Sequence, residues 1–291
     1  MINPLLAATL SLALLAGGAR AAFEETGSGA RAPGMGDAFT ALADAAYSIH
    51  YNPAGLAQVD RPQFGAAYSR LYVGLSDGSE IGSSQLVYAH PLSHGKRGTL
   101  GLGWDRLSLG GLYSESTLTL SYGRRVLARE SGSQLLAGIN FKQLSHSFGR
   151  AAEATNACQD LDCSKGADPL LSGSNTKSAF DGDLGLIYRF PRRFQLGLSV
   201  KHLLSPNVAF SGSDKVERAI DAGLAYKSLW LSLAGELKLH KSASGGMQRD
   251  MIFAAERFFP TLDYGQFGLR GALGIGTADW RQITFGSSYR V

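Results

Sequence analysis

The chain is short of charge, proline and cysteine. Beyond its first 21 residues it also lacks any long apolar run. Each shortage removes a class of protein. Asp, Glu, Lys and Arg make up 18% of the 291 residues, against roughly 25% in ordinary soluble domains. The net charge of +4 is mild and its basic residues are scattered, so no basic patch marks a nucleic-acid surface. With 9 prolines and many aromatics, the chain is neither collagen-like nor low-complexity disorder. After residue 21 no uncharged apolar stretch reaches the roughly 18 residues of a membrane helix. Cys158 and Cys163 have no histidine beside them, and two thiolates do not complete a tetrahedral zinc site. In an exported chain they are expected to close a small disulfide loop. No residue pattern calls for a metal or a cofactor.

Export is indicated at the start of the chain. Residues 2–21 read INPLLAATLSLALLAGGARA. The apolar run from Leu5 to Ala16 is too short for a membrane span and suits a signal-peptide core. Ala19-Arg20-Ala21 supplies the small–x–small cleavage pattern. The expected division is a signal peptide over 1–21, a hatch or plug over 22–61 and a barrel over 62–291.

From residue 62 onward the chain alternates with period 2. In TLTLSY (117–122), Leu118, Leu120 and Tyr122 oppose Thr117, Thr119 and Ser121. In FQLGLSVK (194–201), Phe194, Leu196, Leu198 and Val200 oppose Gln195, Gly197, Ser199 and Lys201. Segments 180–189, 229–238, 266–275 and 283–291 divide the same way. The apolar faces persist for about nine to eleven residues, the length of a tilted membrane strand. The other face is rich in Gly, Ser and Thr with sparse charge, as a lumen requires. Twelve strands are expected, near 62–73, 81–92, 98–109, 113–127, 133–146, 179–190, 194–205, 217–227, 229–240, 249–259, 265–276 and 280–291. The fold class is therefore an all-β antiparallel transmembrane barrel of about 12 strands (12–14).

An even count puts both termini on the periplasmic side of an outer membrane. The longest connection, 147–178, then lies outside the cell. Tyr88, Trp104, Tyr122, Tyr188, Tyr226, Trp280 and Tyr289 are the candidate aromatic girdles. Asp181, Asp183, Lys201, Glu236, Lys238 and Arg270 fall on the polar face, where lumen charges pair with each other or with the hatch. Mixed signs favour structural pairing over a selectivity filter.

Before the first strand lies GARAPGMGDAFTALADAAYSIHYNPAGLA, Gly29 to Ala57. Asp37 is placed to cap an Ala-rich helix through about Ala46. Asn52 is an N-cap and Pro53 suits the first helical position, where its missing N–H costs nothing. Ala54 and Gly55 are small enough for close packing. Gly34, Gly36 and Phe39 complete the candidate hatch and ligand residues, with Arg31, Asp37 and Asp44 as partners for lumen charges.

This stretch resembles the N-terminal hatch of the FadL-type outer-membrane barrels (long-chain fatty-acid transporter-like) and their PorV/PorQ-like branch. The resemblance rests on Gly29, Ala30, Arg31, Ala32, Gly34, Met35, Gly36, Ala38, Phe39 and Asp44, then on Tyr51 to Leu56. Asp37 stands where the family commonly has Gly, and Ala45 where a second Asp is common. The resemblance implies a hatch inside the barrel and passive uptake of a hydrophobic small molecule through an opening in the wall. Gly101, Gly103, Gly110 and Gly111 are candidates for that opening. The alternative it implies is a partner barrel of type IX secretion, or a structural protein without solute transport. A packed lumen would favour the partner role, and an apolar, detergent-sized cavity would favour transport. Expected partners are outer-membrane lipid and either a hydrophobic ligand or a secreted or secretion-system protein. His90, His146, His202 and His240 are present without an oriented nucleophile, so no catalytic residue is assigned.

Overall fold

The computed structural model describes residues 22–75, 80–149, 175–210, 212–241, 246–261 and 265–290. Cys158 and Cys163, with their expected disulfide, lie outside the described residues. Twelve strands form one sheet: β1 (Gln63–Leu71), β2 (Ile81–Pro91), β3 (Thr99–Leu109), β4 (Tyr113–Ala128), β5 (Gln134–Phe148) and β6 (Thr176–Arg189) come first. After them come β7 (Phe194–Lys201), β8 (Ala219–Lys227), β9 (Leu231–Lys241), β10 (Met247–Thr261), β11 (Gly265–Gly276) and β12 (Arg281–Arg290). Each pairs antiparallel with the next in chain order, the up-and-down arrangement of outer-membrane barrels.

Links alternate between two mouths. At the long-loop mouth β5 ends and β6 begins, as do β7 and β8. The short-link mouth carries 92–98, 129–133, 190–193 and 228–230, and there β10 ends and β11 begins. At the short-link mouth Tyr88, Tyr122, Tyr188, Tyr226 and Tyr289 all face outward near strand ends. Their rings are joined there by Phe194, at 5.2 Å from Tyr226, and Phe190, at 4.7 Å from Tyr188. This is one girdle. Trp104 departs from it, sitting mid-strand between Leu86 and Leu118. Trp280 departs too, packing against the buried interior.

Alternation fixes the two faces. Leu118, Leu120, Ile139, Phe141, Leu184, Leu186, Leu196, Leu198, Phe253 and Leu273 point outward and exposed. Gln85, Thr119, Asn140, Asp183, Ser199, Asp221, Glu236 and Glu256 point inward and buried. Buried polar side chains need partners, and here the interior supplies them.

The interior is filled by the N-terminal hatch. Met35, Phe39, Leu42, Ala43, Ile49, Tyr51, Ala54 and Leu56 are buried inside the sheet. The hatch contains a 3-10 turn (Pro33–Met35), a four-residue helix (Ser48–Tyr51) and a second 3-10 turn (Pro53–Gln58). No helix runs from Asp37 to Ala46. Asp37 has φ 62°, outside the helical region, and its carboxylate lies 2.7 Å from the Tyr51 hydroxyl. Tertiary contacts override the helix propensity of this Ala-rich run.

The hatch crosses the lumen once. Phe23 is at the long-loop mouth, where its N–H donates to Glu115 at 3.1 Å and its ring meets His146 at 5.8 Å. Gln63 begins β1 at the short-link mouth, where Arg290 ends β12. The two ends of the described chain are thus at opposite mouths, not on one side as an even strand count suggested. Strand parity fixes the ends of the barrel, but the hatch precedes the barrel and reverses the position of the chain start.

One feature departs from a continuous wall. Among the described residues, β1 pairs only with β2 and β12 only with β11, with no ladder between β1 and β12.

Candidate functional site: the hatch and its anchors in the lumen

Glycines on the inner face let the hatch approach the wall. Gly123 and Gly138 lie against Pro53 and Ala54, Gly185 against Asn52, Gly197 against Thr40 and Ala41, and Gly286 against Gly34. A Cβ on Gly123 would stand 2.6 Å from the Pro53 carbonyl oxygen, and one on Gly197 2.5 Å from the Thr40 carbonyl oxygen. Both are closer than real Cβ contacts. Gly101 belongs to the same set, facing Ile49 and Leu56, and Gly103 faces Ile49. Gly110 and Gly111 form the tight β3–β4 turn with φ of 48° and 81°. Gly101 and Gly103 open no gap in the wall, because β3 is paired along its length on both sides, and Gly110 and Gly111 lie beyond it in the turn.

Asn52 is fully buried and ties the second 3-10 turn to the barrel. Its side-chain oxygen accepts from the Ala54 N–H at 3.1 Å, the predicted cap. Its amide nitrogen lies 2.9 Å from Thr40 O, 3.1 Å from Leu186 O and 3.3 Å from Leu198 O. One side chain therefore joins two hatch segments to β6 and β7. Pro53, Ala54 and Gly55 are buried beside it. Gly55 packs on Ala43, leaving no room for a Cβ. Gly34 is the middle residue of the first 3-10 turn, and Gly36, with φ 63°, is its left-handed cap. Phe39 stacks edge-on with Tyr51 at 5.4 Å and carries the Arg31 guanidinium 5.2 Å from its centroid.

Three groups of charges anchor the hatch. In the first, Arg31 forks onto Glu256 of β10, with nitrogen–oxygen distances of 3.0, 3.0 and 2.6 Å. Arg31 also meets Asp44 at 2.6 Å. Asp44 in turn meets Lys227 at 2.5 Å, and Glu256 meets Arg270 at 3.2 Å. Charges thus alternate in sign from β8 through the hatch to β10 and β11. Burial alone would raise the Asp44 carboxyl, but Arg31 and Lys227 hold it below its ordinary value.

In the second group Lys201 bridges Glu25 at 2.6 Å and Asp221 at 2.9 Å. Burial opposes the Glu25 charge, yet Lys201, with Lys238 behind it, holds that carboxyl down at about 2. In the third, Asp183 takes Lys142 at 2.7 Å and Asn140 at 2.8 Å, and Asn140 donates to Ile49 O of the hatch. Asp181 pairs with His202 at 2.7 Å. Glu236 accepts from both the N–H and the hydroxyl of Thr40, at 2.8 and 2.9 Å. The Tyr51 hydroxyl sits between Asp37 and the Ser28 N–H, and burial beside Asp37 pushes its pKa well up.

All six sequence-predicted lumen charges face inward, and the structure brings five of them to partners by contact. Lys238 is the sixth, lining the long-loop mouth near Glu236 and Asp221. Asp37 pairs with Tyr51 instead of a lumen charge. Sequence reasoning missed Glu256, Asp221, Lys142 and Lys227. Glu256 and Lys227 lie within segments read as strands, and their partners on the hatch were the signal available. Among the described residues no cluster of His, Cys, Asp and Glu could hold a metal.

Open space lies at both mouths: a cavity of about 400 Å³ at the short-link mouth is lined by Gln134, Arg189, Phe190, Phe194 and Lys227 among others, and two more lie at the long-loop mouth. A cavity of about 730 Å³ is lined by Leu71, Tyr72, Lys238, Asp250, Trp280 and Gln282 among others. A smaller one of about 130 Å³ lies over Asp37, His50 and Tyr51. The lining at the long-loop mouth mixes carboxylates, lysines and apolar groups, unlike the greasy pocket that hydrophobic uptake predicts.

Residues 45–290 match the family described as "Type IX secretion system membrane protein PorP/SprF". The chain belongs to the PorP/SprF family. The secretion-associated branch of the resemblance therefore stands in its coarse form, and the specific FadL-type assignment gains no support. Membership makes the chain a membrane protein of that secretion system. Its twelve strands form one antiparallel sheet, and among the described residues no helix is long and apolar enough to cross a membrane. No curated protein matches the chain.

Among solved structures it is similar to outer membrane phospholipase A from Escherichia coli. The identity is 13% over 73% of this chain and 78% of that one, with a TM-score of 0.36. An active-site mutant of the same enzyme gives 12% over 86% and 97%, with a TM-score of 0.40. The calcium-bound dimer of the Salmonella typhi enzyme gives 14% over 73% and 78%, with a TM-score of 0.36.

Proposed function

We propose that this PorP/SprF protein is a partner barrel of type IX secretion whose own lumen stays closed. One observation carries the reading: the hatch fills the lumen against a glycine-lined inner wall, with Arg31, Thr40 and Asn52 each bonded to a different part of the wall. A channel for a hydrophobic solute needs an apolar path, and the space that remains is lined by charge. The chain is read as cleaved after residue 21, with a hatch to residue 61 and a barrel from 62. The short-link mouth faces the periplasm and the long-loop mouth faces out, as loop lengths in such barrels require. Arg290 then ends in the periplasm while residues 22–28 reach the outer mouth. The partners are outer-membrane lipid on the outward apolar face and a secreted or secretion-system protein at the mouths or wall.

The test uses one pair of strains, with and without this protein. Proteins released to the medium and long-chain fatty-acid uptake are measured in both. The secretion reading expects loss of specific proteins from the medium with uptake unchanged. Loss of uptake with an unchanged medium would overturn it.

A further inference from the structure

The short links carry charge of one sign. Lys96, Arg97, Arg129, Arg192 and Arg193 stand there against Glu130 alone. Two of these links, 190–193 and 228–230, frame the cavity of about 400 Å³, within the roughly 300–1,000 Å³ of ligand pockets. Arg189 lines it from β6, flanked in register by Gln134 of β5 and Gln195 of β7. Its Nη1 donates to the Gln134 side-chain oxygen at 3.3 Å. Among the described residues no carboxylate pairs by contact with Arg189 or with Arg193. Asp44 acts on Arg189 only through space, and it is already held by Arg31 and Lys227. Arg125 of β4 adds a like charge within reach of Arg189.

Two further features mark the cavity as built. Gln195 is 3% exposed, and its side-chain oxygen has no hydrogen-bond partner, whereas buried amides are ordinarily satisfied. The Phe190 N–H donates to the Phe194 carbonyl at 2.9 Å and closes a three-residue loop, Pro191 to Arg193. Arg193 takes its third position with φ 68°, where such a hairpin ordinarily places Gly.

Half-buried cations without a counter-charge call for an anion. The chain's own remaining residues do not supply it. At this mouth the described segments end at Thr261 of β10, Gly265 of β11 and Arg290 of β12. These strands are four or more from β6 in the sheet order, roughly 15–20 Å away at about 4.8 Å per strand, beyond the reach of a side chain. A second copy would bring the same positive links to the same place. The depth of the cavity selects the source. Phe190 and Phe194 line it and also belong to the outward girdle, with Tyr188 and Tyr226. Such girdles stand at the level of lipid headgroups, where the anionic group is phosphate.

We propose that this cavity is a phosphate site that takes the headgroup of an anionic phospholipid. Arg189 and Arg193 donate to the phosphate oxygens, which suit the planar guanidinium fork. The Gln195 oxygen accepts from a hydroxyl of a glycerol headgroup. The acyl chains lie outside, along Phe194 and the exposed Leu229. Lys227 lines the same cavity while holding Asp44, so the lipid sits beneath one of the hatch's own anchors. The site needs a barrel in a bilayer and goes beyond the secretion reading, whose failure would leave it standing.

The test uses the full-length chain purified in a nonionic detergent, with native mass spectrometry reading what it retains. Phosphatidylglycerol, diacylglycerol with the same acyl chains, and inorganic phosphate are titrated separately. The variants are Arg189→Gln with Arg193→Gln, Arg193→Gln alone and, as control, Lys96→Gln with Arg97→Gln. The control removes the same charge from another link of the same mouth. Heat-modifiable migration is checked in each, and Arg193→Gln alone, on an exposed link, serves if the double variant fails to fold. In parallel, a photo-crosslinking residue replaces Leu229 in outer membranes.

The expected result is one phosphatidylglycerol retained per chain, with a lipid adduct at position 229. Affinity should fall on the order of tenfold in the double variant and stay unchanged in the control, and diacylglycerol should not be retained. An unchanged double variant, or an equal loss in the control, would overturn the site and leave a diffusely positive mouth. Equal retention of diacylglycerol would overturn it as mere apolar adhesion. Inorganic phosphate held through Arg189 and Arg193, with phosphatidylglycerol not held, would overturn the lipid source. A protein adduct at position 229 that the double variant loses would overturn it in favour of an acidic partner.

Discussion

Arg31 of the hatch and Glu256 of β10 stand 225 residues apart in the chain and meet in a three-bond fork inside the barrel. The Glu256 side chain is fully buried and also faces Arg270. Removing its charge leaves two guanidinium groups without their shared partner. Glu256→Gln is expected to cost about 3–5 kcal/mol, the usual penalty for breaking a buried pair from one side. The check is the temperature at which unboiled, heat-modifiable migration on gels is lost, which should fall. An unchanged transition would remove Glu256 from the anchoring set.

Asn52→Ala removes the cap on Ala54 and the donor that serves Thr40, Leu186 and Leu198. Loss of a helix cap alone costs about 0.5–2 kcal/mol, and carbonyls left buried without a donor add to it. The hatch should become sensitive to protease while the barrel strands stay protected. Asn52→Asp keeps the cap oxygen but turns a buried carboxylate oxygen toward the Thr40, Leu186 and Leu198 carbonyls, so its hatch should be at least as sensitive as that of Asn52→Ala.

The inner glycines predict a steric series. Gly123→Ala and Gly197→Ala put a methyl into the backbone of Pro53 and Thr40 respectively. Each should unseat part of the hatch, seen as protease cleavage within residues 29–58. Gly235→Ala is the control: its added Cβ faces outward, with the Phe253 ring as nearest neighbour at 3.7 Å. That variant should behave as wild type.

The hatch should loosen in acid. The Asp44 carboxyl is held below its ordinary 3.8, and Glu25 is held at about 2 against an ordinary 4.5. A depressed folded pKa adds stability that is full above the ordinary value and is lost as pH falls toward the folded one. Proteolytic protection of the hatch should thus decline below about pH 4. Asp44→Asn should lower protection at neutral pH and flatten the decline. A decline unchanged in Asp44→Asn would assign the acid response elsewhere.

Most of the wall was legible in the sequence because lipid and lumen demand opposite side chains on successive residues. Where that contrast held, as in FQLGLSVK and TLTLSY, the pattern alone delimits faces and strands. It failed in β10, where inward Ile252, Ala254 and Phe258 oppose outward Phe253 and Phe259, so apolar residues occupy both faces and Glu256 does not stand out. Asn52 was legible as a cap because capping is local chemistry. Its bonds to β6 and β7 were not, since no pattern in one strand reports what crosses the lumen. The stretch from Asp37 to Ala46 read as helix from its alanines, and its actual path is dictated by Glu236, Tyr51 and the glycines around it. The unpaired seam had no sequence signal at all, because β1 and β12 alternate as well as any other strand.

The central claim is that the barrel serves secretion with its own lumen shut. Ala41 of the hatch and Gly223 of β8 allow a direct test. A Cβ on Gly223 would lie 3.2 Å from that of Ala41, near the Cβ separation of about 3.5–4.5 Å that a disulfide uses. The measurement is release of the secreted proteins from cells carrying Ala41→Cys with Gly223→Cys, in a chain whose native cysteines are serine, before and after oxidation. A static hatch predicts the same release in both states. Release that stops on oxidation and resumes on reduction would contradict it, showing that the hatch moves and the lumen itself is the passage.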